Sequence, residues 1–88
     1  MMMDTSLDAY QQIKKELGKR QRAVLDTINH IIHIKNTFPT NLEISQFMGI
    51  PINSITPRTN ELEKLGHITR YNKRLCKVSK RMAYTWRV

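Results

Sequence analysis

Cysteine is almost missing from this chain. Cys76 stands alone among 88 residues, which excludes an internal disulfide framework and a multi-cysteine zinc site and leaves packing as the source of stability. Glycine is nearly as scarce, and Gly18, Gly49 and Gly66 lie too far apart to form a phosphate-cradling loop. No nucleophile elbow or pair of catalytic carboxylates is present, so an enzyme is not expected. No apolar run approaches the ~18 residues of a membrane span, and the opening MMMDTSLDAYQQ has no secretory apolar region. A chain of this length with 40% hydrophobic residues is expected to form one modest core, with no membrane partner and a cytoplasmic location in a bacterial host.

Acid is missing from one end only. Residues 1 to 63 hold seven Lys/Arg and seven Asp/Glu, whereas residues 64 to 88 hold Lys64, Arg70, Lys73, Arg74, Lys77, Lys80, Arg81 and Arg87 with no acid. The whole net charge of +8 therefore sits in the last 25 residues. A block of one sign repels itself unless a polyanion neutralises it, and counterion release makes nucleic acid the natural partner. A solvated surface is the plainer alternative.

What is present centres on Thr40 to Gly66. Thr40 and Glu43 have the spacing of a capping box, which starts a helix at Thr40. Ile44, Phe47 and Met48 then form one apolar stripe, and Gly49 suits the left-handed stop. After Gly49-Ile50-Pro51-Ile52 a second helix is capped by Asn53 or by Thr56, with its apolar line through Ile55, Thr59, Leu62 and Leu65 and its end at Gly66. Pro57 is expected in the first turn of that helix, because an interior proline costs ~3 kcal/mol. The opposite side carries Asn53, Pro57, Asn60, Glu61 and Lys64, with Ser54 and Arg58 toward one edge. Asn pairs with adenine and Arg with guanine through paired hydrogen bonds, so this is the chemistry of major-groove readout on a helix-turn-helix.

Around this pair the pattern extends in both directions. Leu7, Tyr10, Ile13 and Leu17 line one side of a helix over Thr5–Leu17, followed by a break at Gly18. Val24, Leu25, Ile28, Ile31 and Ile32 mark a strongly amphipathic helix that ends near Lys35-Asn36 and serves as the core pillar. Thr37-Phe38 is placed to form a short edge strand limited by Pro39. Ile68 to Tyr71 reads as a strand, and Met82, Tyr84, Trp86 and Val88 alternate with Ala83, Thr85 and Arg87 as another, its larger residues facing the core. The basic segment Asn72 to Arg81 between them is a wing. The expected fold is mainly α with a small antiparallel β wing (α+β): a winged helix-turn-helix ordered helix, edge strand, helix, helix, strand, wing, strand. Residues 1–17 form a tail and accessory helix, and residues 18–88 the winged-helix domain.

Tyr10, Ile13 and Leu17; Arg20-Gln21 with Val24-Leu25; Leu42, Ile44 and Phe47 before Gly49-Ile50; the run Asn53-Ser54-Ile55-Thr56-Pro57-Arg58 with Asn60-Glu61-Leu62 and Gly66; and the ending Arg74, Cys76, Val78-Ser79, Arg81, Ala83-Tyr84 and Trp86 form one further pattern. In these residues the chain resembles the short winged-helix DNA-binding proteins of bacteriophages and prophages. The resemblance implies DNA binding without catalysis. Such proteins usually have a Thr-Gly turn near Ser79-Lys80, so Lys80 in place of glycine implies a looser or longer tip.

Together these readings give a sequence-specific binder of double-stranded DNA, a small transcriptional regulator. Asn53, Ser54, Thr56, Arg58 and Asn60 are the expected base or adjacent contacts; Lys64, Tyr71, Lys73, Arg74, Lys77, Lys80 and Arg81 the expected phosphate contacts. Arg58 is also placed to pair with Glu61 or Glu63. Tyr84 and Trp86 fit core packing better than base stacking. Cys76, in a cationic setting, reads as a core-facing wing residue. His30 and His33 stand at i, i+3, but with no third ligand they read as surface histidines, and no cofactor or metal is expected. The accessory helix offers a route to a homodimer. The alternative class is a module that docks on a host polymerase, nuclease or replication protein, and RNA ranks third because its A-form major groove excludes a helix.

Overall fold

The computed structural model describes residues 17–88. Helix α1 spans Lys19–Lys35, with Val24, Ile28 and Ile31 buried and Leu25 and Ile32 packed beside them. Its start is set by Gly18, whose amide donates to Gln21 Oε1 at 2.9 Å, and its end by Asn36 in the left-handed region at φ 53°. The amphipathic pattern places this helix correctly. Of the helix expected over Thr5–Leu17, all but Leu17 lies outside the described residues; Leu17 itself is buried against α1 and its neighbours in the core.

Helix α2 spans Asn41–Met48 and opens on the expected capping box: Thr40 Oγ1 accepts from the Glu43 amide, and the Glu43 carboxylate accepts from the Thr40 amide. Gly49 closes it at φ 70°. Ile44 is fully buried, but Phe47 is 43% exposed, in T-shaped contact with the His30 ring and with Lys35 5.8 Å from its centroid.

Helix α3 spans Ile52–Lys64 and begins before either expected cap, with Pro51 as N-cap. The fixed φ of proline already suits that extended position, and the Ser54 amide closes the first turn on the Pro51 carbonyl at 2.9 Å. Pro57 therefore lies inside the helix rather than in its first turn. The carbonyl it leaves without a helical donor belongs to Asn53, on the exposed face, where water can serve it. Ile55, Thr59 and Leu62 are buried as expected, and the Thr59 hydroxyl is satisfied by the Thr56 carbonyl. Leu65 is not part of that line, being 56% exposed. A Schellman turn ends the helix: Gly66, at φ 85°, donates to Glu63 while His67 donates to Leu62.

Strands β1 (Thr69–Leu75) and β2 (Met82–Arg87) form a two-stranded antiparallel ribbon, longer in its first strand than Ile68–Tyr71. Between Arg70 and Lys73 the register shifts, so that Tyr71 and Asn72 face Thr85 alone. This is a β-bulge, and the Thr85 hydroxyl fills it by bonding Asn72. The bulge upsets the expected period-two burial: Trp86 and its neighbour Thr85 are both buried, while Met82, Tyr84 and Val88 are exposed. The expected edge strand at Thr37-Phe38 does not form either. Among the described residues, the backbone bond of this segment to the ribbon runs from the Trp86 amide to the Pro39 carbonyl.

At the tip, Cys76 and Arg81 close the hairpin through Cys76 N–H to Arg81 O at 2.8 Å and Lys80 N–H to Cys76 O at 2.9 Å. Lys80 takes the left-handed conformation itself, at φ 60°. The tip is thus closed rather than loosened by the missing glycine.

Candidate nucleic-acid interface

Helix α3 presents three different sides. Ile55, Thr59 and Leu62 face the core. Ser54, Arg58 and Glu61 are half-buried, and on this side Gln21 of α1 donates to Glu61 at 2.7 Å while Arg58 grips the same carboxylate with Nε at 2.8 Å and Nη2 at 3.0 Å. These hydrogen bonds from Arg58 and Gln21 lower the Glu61 pKa. Asn53, Pro57, Asn60 and Lys64 form an exposed stripe. Arg58 is therefore tied to its neighbours, whereas Asn53 and Asn60 stand ready toward solvent.

Beyond the exposed stripe, Ile52, Thr56 and Asn60 line a groove of about 390 Å³ whose far wall is the ribbon, with Arg70, Ala83, Tyr84 and Trp86. Tyr84 is the centre of that wall. Arg70 lies 5.5 Å and Lys73 lies 5.0 Å from its ring centroid, so two cations contact the ring. Trp86 anchors the wall from below, its indole N–H donating to Asn41 Oδ1 at 2.7 Å.

The ribbon's position depends on the capping box that starts α2. Besides serving Thr40, Glu43 accepts from Arg74 Nη1 at 2.8 Å and from the Lys77 amide at 3.0 Å. Arg74 Nη2 also bonds the Phe38 carbonyl at 2.6 Å. Partial burial alone would raise the Glu43 carboxyl, but the hydrogen bonds from Arg74, Lys77 and Thr40 outweigh it and bring its pKa down to about 2. On the other member of the box, Thr40 Oγ1 lies 3.1 Å from the buried Cys76 Sγ. Burial opposes ionisation of this thiol too, yet bonds from Thr40, Ser79 and Val78 leave its pKa below the usual value. Cys76 faces the core, as its place in the wing suggested.

The expected phosphate contacts divide accordingly. Lys64 is exposed on α3, Lys73 is exposed beside the Tyr84 ring, and Lys77, Lys80 and Arg81 are exposed at the tip. Arg74 is instead an internal tether. Tyr71 lies off the groove wall, its ring 5.0 Å from Phe38 and 5.5 Å from the Arg87 guanidinium. Arg70 and Tyr84, which the sequence did not single out as contacts, line the groove. The missed signal is the bulge: Arg70 and Lys73 are three apart, and in an unbroken strand they would face opposite ways. His30 and His33 are both exposed, no cluster of metal-ligating side chains occurs among the described residues, and no described helix is long and apolar enough to cross a membrane.

Residues 14–75 match the family model of the LexA DNA-binding domain. Over 61 residues the chain is 34% identical to the LexA repressor of Pseudarthrobacter chlorophenolicus, an alignment that covers 68% of this chain and 24% of that protein. The chain thus matches about a quarter of the length of this relative. No solved structure matches it significantly. With three helices and a two-stranded antiparallel ribbon in winged-helix order among the described residues, and with more than half of its residues matched, the chain belongs to the LexA DNA-binding domain family.

Proposed function

We propose that this domain binds double-stranded DNA sequence-specifically and works in a transcriptional regulator in the bacterial cytoplasm. Helix α3 enters the major groove with Asn53, Thr56 and Asn60 toward the bases and Ser54 and Arg58 at the edge of the contact. Lys64, Lys73, Lys77, Lys80 and Arg81 neutralise phosphates, and Arg70 and Tyr84 line the channel through which one sugar–phosphate strand runs. The observation that carries this reading is the groove itself, because it sets an exposed asparagine-bearing helix face beside a ribbon without a single acid. Base edges specify and phosphates position, and the two sets of residues stand on adjacent surfaces here. Family membership and the relative's repressor function support the same reading, and the resemblance to phage and prophage proteins supports a phage or prophage setting.

Fluorescence anisotropy with a labelled random-sequence duplex at several salt concentrations tests it. Micromolar binding is expected, with log affinity falling linearly in log salt, and with single-stranded DNA and duplex RNA binding more weakly. Selection from random duplexes then gives the site, whose symmetry reports whether the protein binds as a homodimer. No binding at low salt overturns the reading and turns attention to capture of a host protein from lysate.

A further inference from the structure

Leu75 and Met82 have no evident use within the domain. They pair directly across the outer end of the ribbon, they are 57% and 62% exposed, and neither belongs to the core cluster. Two positions inward on each strand lie Lys73 and Tyr84, so by strand alternation Leu75 and Met82 continue the face that forms the groove wall. At the same end of the ribbon are the cations of Lys77, Lys80 and Arg81, on a segment with no acid. An apolar pair flanked in the chain by positive charge is complementary to a surface that is apolar within and anionic at its rims. The minor groove of DNA, with stacked bases between two lines of phosphate, is such a surface.

We propose that Leu75 and Met82 form a wedge that enters the minor groove and partly unstacks one base step. This rests on the DNA-binding reading above. With α3 in the major groove, the channel between α3 and the ribbon holds one backbone strand, and the next groove beyond that strand is the minor one. Apolar side chains inserted between base steps bend the duplex toward the major groove, here toward α3. The cost of unstacking is lowest at flexible pyrimidine–purine steps, so the wedge adds a preference for TA or CA at a position that α3 never touches.

The test uses a duplex selected by the wild-type protein, with 2-aminopurine beneath the wing and a donor–acceptor pair at its ends. Wild-type binding is expected to raise the 2-aminopurine fluorescence severalfold and to increase end-to-end energy transfer. The L75S/M82S double variant, its folding checked by thermal melting, is expected to lose both signals and the TA or CA preference, while the salt slope of binding stays unchanged. A salt-dependent wild-type complex without unstacking or bending overturns the wedge alone. Bending retained by the double variant does the same, as does self-association of the DNA-free protein that the two substitutions abolish. Failure of the wild-type protein to bind any duplex overturns the DNA reading and the wedge with it.

Discussion

The helical part and the ribbon use charge in opposite ways. On the helices an arginine is answered from its own element: Arg58 pairs with Glu61 three residues on, and Gln21 joins them from α1. The ribbon has no acid to answer with, so its paired arginines reach into the helical part, Arg70 to Glu63 at 3.4 Å and Arg74 to Glu43. The first is a surface pair of small energetic weight; the second is largely shielded, with side chains 25% and 13% exposed. The difference teaches that a basic segment is not uniformly a binding surface. Its tethering charge is arginine, in fork-shaped contacts that a carboxylate matches well, whereas its lysines stay outward.

Substitutions that separate core, tether and surface put this division at risk. The largest effect is expected from Ile28→Ala in the fully buried part of α1, a loss of ~2–5 kcal/mol in urea unfolding. Glu43→Gln should follow at ~1.5–3 kcal/mol, since several hydrogen bonds lose their charged acceptor. It should also carry a pH signature. The Glu43 pKa falls on folding from 4.5 to about 2, so the unfolded chain takes up a proton first as acid is added. Wild-type stability from this group is complete above about 4.5 and is lost as the pH falls from there toward 2; thermal melts of the Gln variant should lack that component.

Asn60→Ala is expected to cost ~1–3 kcal/mol at one or two base pairs and little elsewhere, and an unchanged selection profile would remove it from the readout. Lys77→Ala should weaken every duplex alike and reduce the salt slope by about one, while Arg74→Ala should lower the melting temperature before it alters the slope. Reversal of that pair would collapse the distinction between tether and surface. The smallest effect belongs to Lys80→Gly, which relieves a left-handed lysine and should raise stability by no more than about 1 kcal/mol, even as it removes one cation from the wing.

Where the sequence could be read, the determinants were local. The Thr40–Glu43 box, the stripe from Val24 to Ile32 and the stop at Gly49 each depend on residues within a turn or two of one another, and all three appear as expected. Pro51 as a cap was missed because Asn53 and Thr56 are better side-chain caps, yet neither is needed when Pro51 presets the backbone. The buried faces of β2 were missed because the bulge lies in the other strand. Arg74 gave no sign of its tethering role either, since its partner is 31 residues away in the chain. In the candidate site, the asparagines of α3 were legible from helical periodicity, but the groove wall of Arg70 and Tyr84 depends on tertiary register.

That register makes the wing sensitive to parity. The extra residue at Tyr71-Asn72 shifts the count by one, so that positions before and after it agree in facing when ordinary alternation would set them against each other. Straightening this stretch with both residues kept would leave every charge in the sequence and still turn the outer ribbon over, sending Lys73 to the back and Arg74 toward the groove, away from Glu43. Deleting Asn72 would instead restore ordinary alternation, with Arg70 and Lys73 two apart and still on one face. For relatives of this chain, a single-residue gap between Arg70 and Lys73 therefore removes the bulge and keeps the groove-facing side chains in place, whereas an extra residue paired without a bulge is a change of surface.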